Sequence, residues 1–112
     1  MDSAGPKPLA IVRIWRGRTR RADADAYEAY NYDAGIKPLI AKAAAVQTFR
    51  KDGAEVSEFV TISYWESMAA MASFAGDNPA RVHNLPRDAE FLLELPEAVE
   101  ILSLRVSHGR IP

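Results

Sequence analysis

The sequence of 112 residues contains no cysteine, which excludes disulfide bonds, thiol catalysis and thiolate metal ligands. It has only two histidines, His83 and His108, so a zinc site with three or four His or Cys ligands is not expected. No apolar run approaches the roughly 20 residues that cross a membrane. The first residues lack a basic segment followed by an apolar one, so no signal peptide is expected. Together these absences favour a cytoplasmic protein.

Several common functional motifs are also missing. There is no Gly-x-Gly-x-x-Gly segment, no Walker loop and no Gly-x-Ser-x-Gly elbow. The net charge of −1 gives no general attraction to nucleic acid or membranes, so neither partner is expected. With 48% hydrophobic and 26% charged residues, the composition is that of a globular protein. We predict a single domain, with residues 1–8 as a loose leader and residues 107–112 as a tail.

The most informative stretch covers residues 58–74, where a strand pattern changes into a helix pattern. β-Branched and aromatic side chains alternate with period two up to Trp65. Ser67 is suited to cap the N-terminus of the helix that follows, and Gly76 is suited to end it. Trp65 therefore lies at a strand-to-helix joint, where a large aromatic side chain either walls a pocket or fills a core.

The rest of the chain supplies three more predicted strands and one more helix. The strands are predicted at residues 9–16, 46–50 and 98–106, with an Asp-Gly hairpin at 51–55. A helix is predicted over 22–34, ended by Gly35 and Pro38; residues 39–44 fit either a turn or a short helix, and 88–95 contain one helical turn. The order is β-α-β-β-α-β, the split ferredoxin-like arrangement. It predicts an α+β fold with a four-stranded antiparallel sheet and both helices on one face.

Three of the predicted strands have one nearly pure apolar face and one mixed face. The apolar faces consist of Ala10, Val12 and Ile14, of Val60, Ile62 and Tyr64, and of Leu102, Leu104 and Val106. Two helices can cover only one side of a sheet, and the mixed second face still carries Trp15, Phe59 and Trp65. We therefore expect a second copy of the chain to cover this mixed face, sheet against sheet, as a homodimer.

The mixed face also gathers polar side chains. If the registers agree, one side of the sheet carries Arg13, Thr61, Ser63, Trp65, Ser103 and Arg105. A buried arginine needs an anion, and a partly apolar cavity with a few convergent polar groups is the usual small-molecule site. The alternative is that the arginines pair with Glu58, Glu100 or carboxylates of a dimer partner. A register shift of one residue would also disperse this group.

Other side chains allow a functional and a plain structural interpretation. Five arginines within residues 13–21 suit either a clamp for a carboxylate or phosphate, or a solvated strand end. His83, after the second helix, is a candidate general base or haem ligand, or a surface histidine, while His108 is expected in solvent. Tyr27 and Tyr30 either bond a ligand through their hydroxyls or belong to the core.

Three longer segments carry a resemblance to a known family. They are IVRIWRGRT at residues 11–19, FVTISYWES at 59–67 and MASFAG at 71–76, and FLLEL at 91–95 adds to them. Over about residues 9–106 the chain resembles the antibiotic biosynthesis monooxygenase superfamily of dimeric α+β barrels. The resemblance implies a homodimer, with a ligand cavity between sheet and helices in each subunit.

Two chemistries occur among proteins of that kind: cofactor-free oxygenation of polycyclic phenols to quinones, and haem binding with degradation. In both, a tryptophan at the end of the third strand lines the cavity, and Trp65 matches it. Haem-degrading members add a histidine after the second helix, for which His83 is the only candidate. They also use an asparagine on the first strand. The corresponding residues 13–15 of this chain contain no asparagine.

The resemblance thus implies a cofactor-independent monooxygenase of a small aromatic or phenolic substrate. The alternatives are a haem-binding or haem-degrading protein and a non-catalytic dimeric binding module. Arg13 or Arg105 would hold the phenolate, which itself reduces O2, while the protein excludes water and stabilises developing charge. His83 would take the phenol proton. The predicted catalytic residues are His83, Arg13 and Trp65, and the predicted substrate-binding residues are Trp15, Tyr27, Tyr30, Ser63 and Arg105.

Overall fold

Four strands form one antiparallel sheet in the computed structural model, which describes residues 9–76 and 78–110. The strands are β1 (Ile11–Arg20), β2 (Ala45–Asp52), β3 (Val56–Trp65) and β4 (Glu100–Ser103). Their spatial order is β2-β3-β1-β4. This confirms the predicted α+β, ferredoxin-like arrangement. The predicted leader and the last two residues of the predicted tail lie outside the described residues, while residues 107–110 are exposed.

The connection between β1 and β2 is helical over almost its whole length. A 3-10 turn (Arg21–Asp23) leads into α1 (Ala24–Asn31), then a π turn (Tyr32–Ile36) and α2 (Lys37–Ile40). The prediction that Gly35 and Pro38 end the helix was wrong. The Lys37 N–H bonds to the Tyr32 carbonyl, so the chain widens into a π turn, and Pro38 falls in the first turn of α2, where its missing N–H costs least.

The strand-to-helix joint agrees with the sequence. β3 ends at Trp65 and is followed by α3 (Met68–Ala75). The Ser67 hydroxyl accepts a hydrogen bond from the Ala70 N–H at 3.0 Å, as expected of an N-cap. Gly76 follows α3 with a φ of +86°, a conformation that glycine adopts without steric cost. Within the described residues, no helix is long and apolar enough to cross a lipid bilayer.

β1 is longer than predicted and β4 is shorter. Because β3 begins at Val56, it pairs with β1 as far as Arg20, so most of the arginine cluster lies in a strand rather than in a turn. Four arginines of the cluster, all except Arg13, are exposed and form ion pairs. The pairs are Arg16–Glu100, Arg18–Glu94, Arg20–Asp23 and Arg21–Asp52. Exposed pairs of this kind contribute little to stability. The remaining helix, α4 (Asp88–Phe91), is the single turn predicted within residues 88–95.

The expectation about which face the helices cover was wrong. The mixed face lies beneath them, and its five residues on β3, Ser57, Phe59, Thr61, Ser63 and Trp65, are all buried. Phe59 packs with α1, and Trp65 packs with α2 and α3, in the two core clusters. Burial of the polar groups on this face costs little because they find partners there: the Trp65 indole N–H donates to the Ser63 hydroxyl at 2.9 Å.

The nearly pure apolar face is the side of the sheet that no described helix covers, and we call it the open face. By register, Val12 on β1 faces Leu102 on β4, and Val60 on β3 faces Phe49 on β2. Leu102 and Phe49 are each 49% exposed. Among the described residues, both core clusters lie on the other side of the sheet. An apolar surface of this kind typically marks an interaction site.

Candidate functional site

A cavity of about 280 Å³ lies between the sheet and the π turn. Its floor is formed by Arg13 and Trp15 of β1 and Thr61 of β3. The π turn and α2 form one wall, and the segment from α3 to α4, including His83 and Asp88, forms another. The volume is near the lower end of the roughly 300–1,000 Å³ typical of ligand pockets. The cavity therefore suits a small molecule.

Arg13 supplies a buried cation at the floor of this cavity. Its side chain is only 8% exposed. Its Nε donates to the Pro79 carbonyl and its Nη2 to the Arg81 carbonyl, both at 3.1 Å. Burial lowers the pKa of Arg13 below its usual value, although arginine stays charged in proteins. Within residues 9–76 and 78–110, no carboxylate forms an ion pair with it. The guanidinium is thus suited to an anionic ligand.

Trp15 lies between the cavity and the neighbouring core. Its indole lines the cavity and is partly buried. On its other side it packs against a cluster of buried residues formed by Ala24, Tyr27, Phe59 and Leu92. An indole held in this way gives a ligand a flat apolar surface on which an aromatic ring can stack.

His83 lines the cavity from the segment that follows α3. Its Nε2 lies 2.9 Å from the Ala75 carbonyl oxygen. Because a carbonyl can only accept, Nε2 must carry the proton, and in the neutral ring Nδ1 keeps its lone pair. Within the described residues Nδ1 has no hydrogen-bond partner. The structure therefore provides a proton acceptor at the cavity.

Asp88 is a cavity residue that the sequence analysis missed. It is 3% exposed. Its carboxylate accepts from the Tyr27 hydroxyl at 3.2 Å and from the Leu85 N–H at 2.8 Å. Burial raises the pKa of Asp88, and these hydrogen bonds oppose the shift. Burial and the nearby Asp88 charge also raise the pKa of Tyr27. A hydrogen bond from a backbone N–H to an aspartate three residues later, as between Leu85 and Asp88, is a common local pattern. Nothing in the neighbouring sequence, however, indicates that Asp88 is buried.

The other predicted site residues do not line this cavity. Trp65 is 1% exposed and belongs to the core, with Ser63 beside it. Tyr27 is fully buried, and the Tyr30 hydroxyl accepts from the Arg87 N–H at 2.9 Å. Arg105 is exposed in a separate surface depression near the end of the chain. Of the eight predicted residues, the structure brings together Arg13, Trp15 and His83.

The residues at the cavity do not fit a haem. The cavity is small even for a drug-sized ligand, and a porphyrin needs more room. The Nε2 of His83, a usual axial ligand atom, is engaged by the Ala75 carbonyl. Within the described residues, no group of three or more His, Asp or Glu side chains is placed to hold a metal ion.

Comparisons with known proteins agree with the fold. No family model and no curated protein matches the chain. A crystal structure from Bacillus cereus, named as a candidate antibiotic biosynthesis monooxygenase, superimposes with a TM-score of 0.62 at 10% sequence identity. The match covers 91% of this chain and 99% of that chain. At this low identity the likeness concerns the fold alone: the chain shares the fold of that protein, in agreement with the sequence resemblance.

Proposed function

We propose that this protein is a cofactor-independent monooxygenase that converts a small phenol to a quinone in the cavity over Arg13. The observation that carries the proposal is a buried guanidinium that has no carboxylate partner among residues 9–76 and 78–110, beside a histidine whose Nδ1 is unengaged by the same residues. The shared fold with a protein named as a candidate monooxygenase adds support.

The roles of the residues follow from their chemistry. The Nδ1 of His83 takes the proton of the phenol, and Arg13 binds the resulting phenolate oxygen. The phenolate passes an electron to O2, and the two radicals join at a ring carbon to give a peroxide anion. This anion takes the proton held on His83 and becomes a hydroperoxide. Loss of water from that carbon leaves the quinone. One phenol and one O2 give one quinone and one water, so the substrate supplies all the electrons.

The cavity walls contribute by fixing the ring. Trp15 offers a flat surface, and Phe74 adds a second aromatic side chain to the lining. In such an environment the attraction between Arg13 and a phenolate is stronger than in water. The same charge stabilises the electron density that moves onto oxygen during the reaction.

Oxygen uptake tests the proposal directly. The purified protein is incubated with phenol, 2-naphthol and 9-phenanthrol, and oxygen consumption is compared with quinone absorbance. We expect one O2 consumed per quinone formed. His83→Ala should lower kcat by about a hundredfold or more, the usual contribution of a general base. His108→Ala, which changes an exposed histidine near the chain end, is the matched control. Binding of these phenols without any oxygen uptake would instead indicate a non-catalytic binding module.

The open sheet face supports a second part of the proposal, a homodimer. The half-exposed Phe49 and Leu102 lie on this apolar face. Arg16 and Glu100, also on it, form an ion pair, so neither of these two charges is left uncompensated against a second copy. Packing two such faces together would bury this surface around a twofold axis.

A further inference from the structure

Gly17 lies on the same face of β1 as Arg13 and Trp15, two residues beyond the tryptophan. It is buried and pairs with Phe59 of β3. A β-carbon built on Gly17 would stand 2.4 Å from Cη2 of Trp15 and 2.8 Å from its Cζ2. Carbon atoms in contact are normally about 3.5–4.0 Å apart. The six-membered ring of the indole therefore occupies the space that a side chain at residue 17 would fill.

This arrangement explains why there is a cavity above Arg13. Alternate residues of a strand lie about 6.6 Å apart on one face, so Arg13, Trp15 and Gly17 form a row. The Trp15 indole leans along that row toward Gly17 and away from Arg13. Arg13 and Trp15 line the cavity, whereas Gly17 lies beneath the indole. The absent side chain of Gly17 thus leaves the floor over Arg13 open.

The indole has one direction in which it can be displaced. On the side away from the cavity it packs against the buried cluster of Ala24, Tyr27, Phe59 and Leu92. Protein cores of this kind contain almost no free volume. A side chain at residue 17 would consequently push the indole toward Arg13, into the cavity.

We propose that Gly17 sets the size of the ligand, because it leaves room for the Trp15 indole and so keeps the floor beside Arg13 open. A displaced indole would shorten the cavity, so a larger phenol would lose more affinity than a smaller one. Gly17 acts through Trp15 and is a positioning residue. The identity of the ligand as a phenol rests on the proposed function, whereas the packing of Trp15 on Gly17 does not.

Calorimetric titrations with phenol, 2-naphthol and 9-phenanthrol measure this selection. We expect the loss of affinity in Gly17→Ala to grow with the size of the phenol, since a tight pocket discriminates single methylenes by about tenfold or more. Gly17→Ala should weaken 2-naphthol by about tenfold or more and phenol far less. Adding Trp15→Phe, which removes the clashing ring atoms, should restore 2-naphthol binding to Gly17→Ala. Gly53→Ala in the β2–β3 hairpin is the matched glycine control.

Failure of restoration by Trp15→Phe would show that Gly17 acts through the strand rather than the indole, and would overturn the proposal. A loss of affinity in Gly17→Ala that is equal for phenol and 9-phenanthrol would overturn it too. If no phenol binds the wild type, the proposed function fails. The size selection is then tested by titration with benzene, naphthalene and phenanthrene, whose binding does not need Arg13. Independently, the NMR signal of the Trp15 indole N–H must shift in Gly17→Ala while that of Trp65, bonded to Ser63, stays in place.

Discussion

Replacing Arg13 by methionine tests whether the buried guanidinium holds both a ligand and the segment after α3. Two hydrogen bonds, to the carbonyls of Pro79 and Arg81, are lost. Hydrogen bonds from a charged group contribute about 1.5–3 kcal/mol each, which sets an upper limit of about 6 kcal/mol. The actual loss will be smaller, because Pro79 is only half-buried and Arg81 is exposed, so water can replace the guanidinium at both carbonyls.

Removal of the buried charge also eliminates part of the desolvation penalty of Arg13, which partly offsets the loss of stability. We therefore expect Arg13→Met to lower the free energy of unfolding by about 1–2 kcal/mol. The effect on an anionic ligand is larger. Loss of one charge-assisted hydrogen bond of about 1.5–3 kcal/mol corresponds to a dissociation constant about 10 to 150 times higher.

The two effects are measured separately. Guanidinium chloride denaturation, followed by tryptophan fluorescence, gives the stability, and calorimetric titration with 2-naphthol gives the affinity. Arg105→Met, at an exposed arginine away from the cavity, should change neither quantity. If Arg13→Met loses stability but binds 2-naphthol as well as the wild type, Arg13 only holds the segment after α3 in place and does not bind the ligand. Unchanged stability together with unchanged binding would refute the reasoning from the contacts.

Two further substitutions test the buried carboxylate and the open face. Burial raises the pKa of Asp88 above its unfolded value, so the folded state binds this proton more tightly and loses stability as pH rises through the raised pKa. Asp88→Asn keeps an acceptor for the Leu85 N–H and removes the charge; we expect it to stabilise the protein at about pH 7.5 and to lose that advantage toward about pH 4, near the unfolded carboxyl pKa. Denaturation at both pH values checks this, and an advantage that grows in acid would contradict it. Leu102→Glu puts a charge on the open apolar face and should convert the proposed dimer to monomers in light scattering after gel filtration. The exposed Leu93→Glu is its control, and a wild type that is monomeric at all concentrations would disprove the dimer.

The sequence predicted the order of the elements because each has local signals. Ser67 and Gly76 bound α3 for reasons that involve only neighbouring residues. The choice of sheet face was wrong because alternation separates two faces without saying which one the helices meet. Ser63 counted as a polar residue at sequence level, yet its hydroxyl is satisfied by the Trp65 indole within the core. The π turn was missed because Gly35 and Pro38 are strong stop signals in any local analysis.

The candidate site was predicted in part. Arg13, Trp15 and His83 were identified because an arginine inside a strand, a strand tryptophan and an isolated histidine are unusual in themselves. Asp88 was not, since its burial results from packing against Tyr27, 61 residues away in the chain. The packing of Trp15 on Gly17 likewise depends on a side-chain direction that periodicity does not encode.

The edge position of β4 gives the sheet an uneven resistance to local opening. β4 has four residues and pairs with β1 from Ile11 to Ile14, whereas β1 and β3 pair over ten residues. Amide hydrogens of β4 will therefore exchange with solvent sooner than those of β3. The segment of β1 beside β4 contains Arg13, so each opening of β4 loosens the strand that holds the guanidinium in place. A ligand bound to Arg13 will consequently slow exchange in a strand that it does not touch.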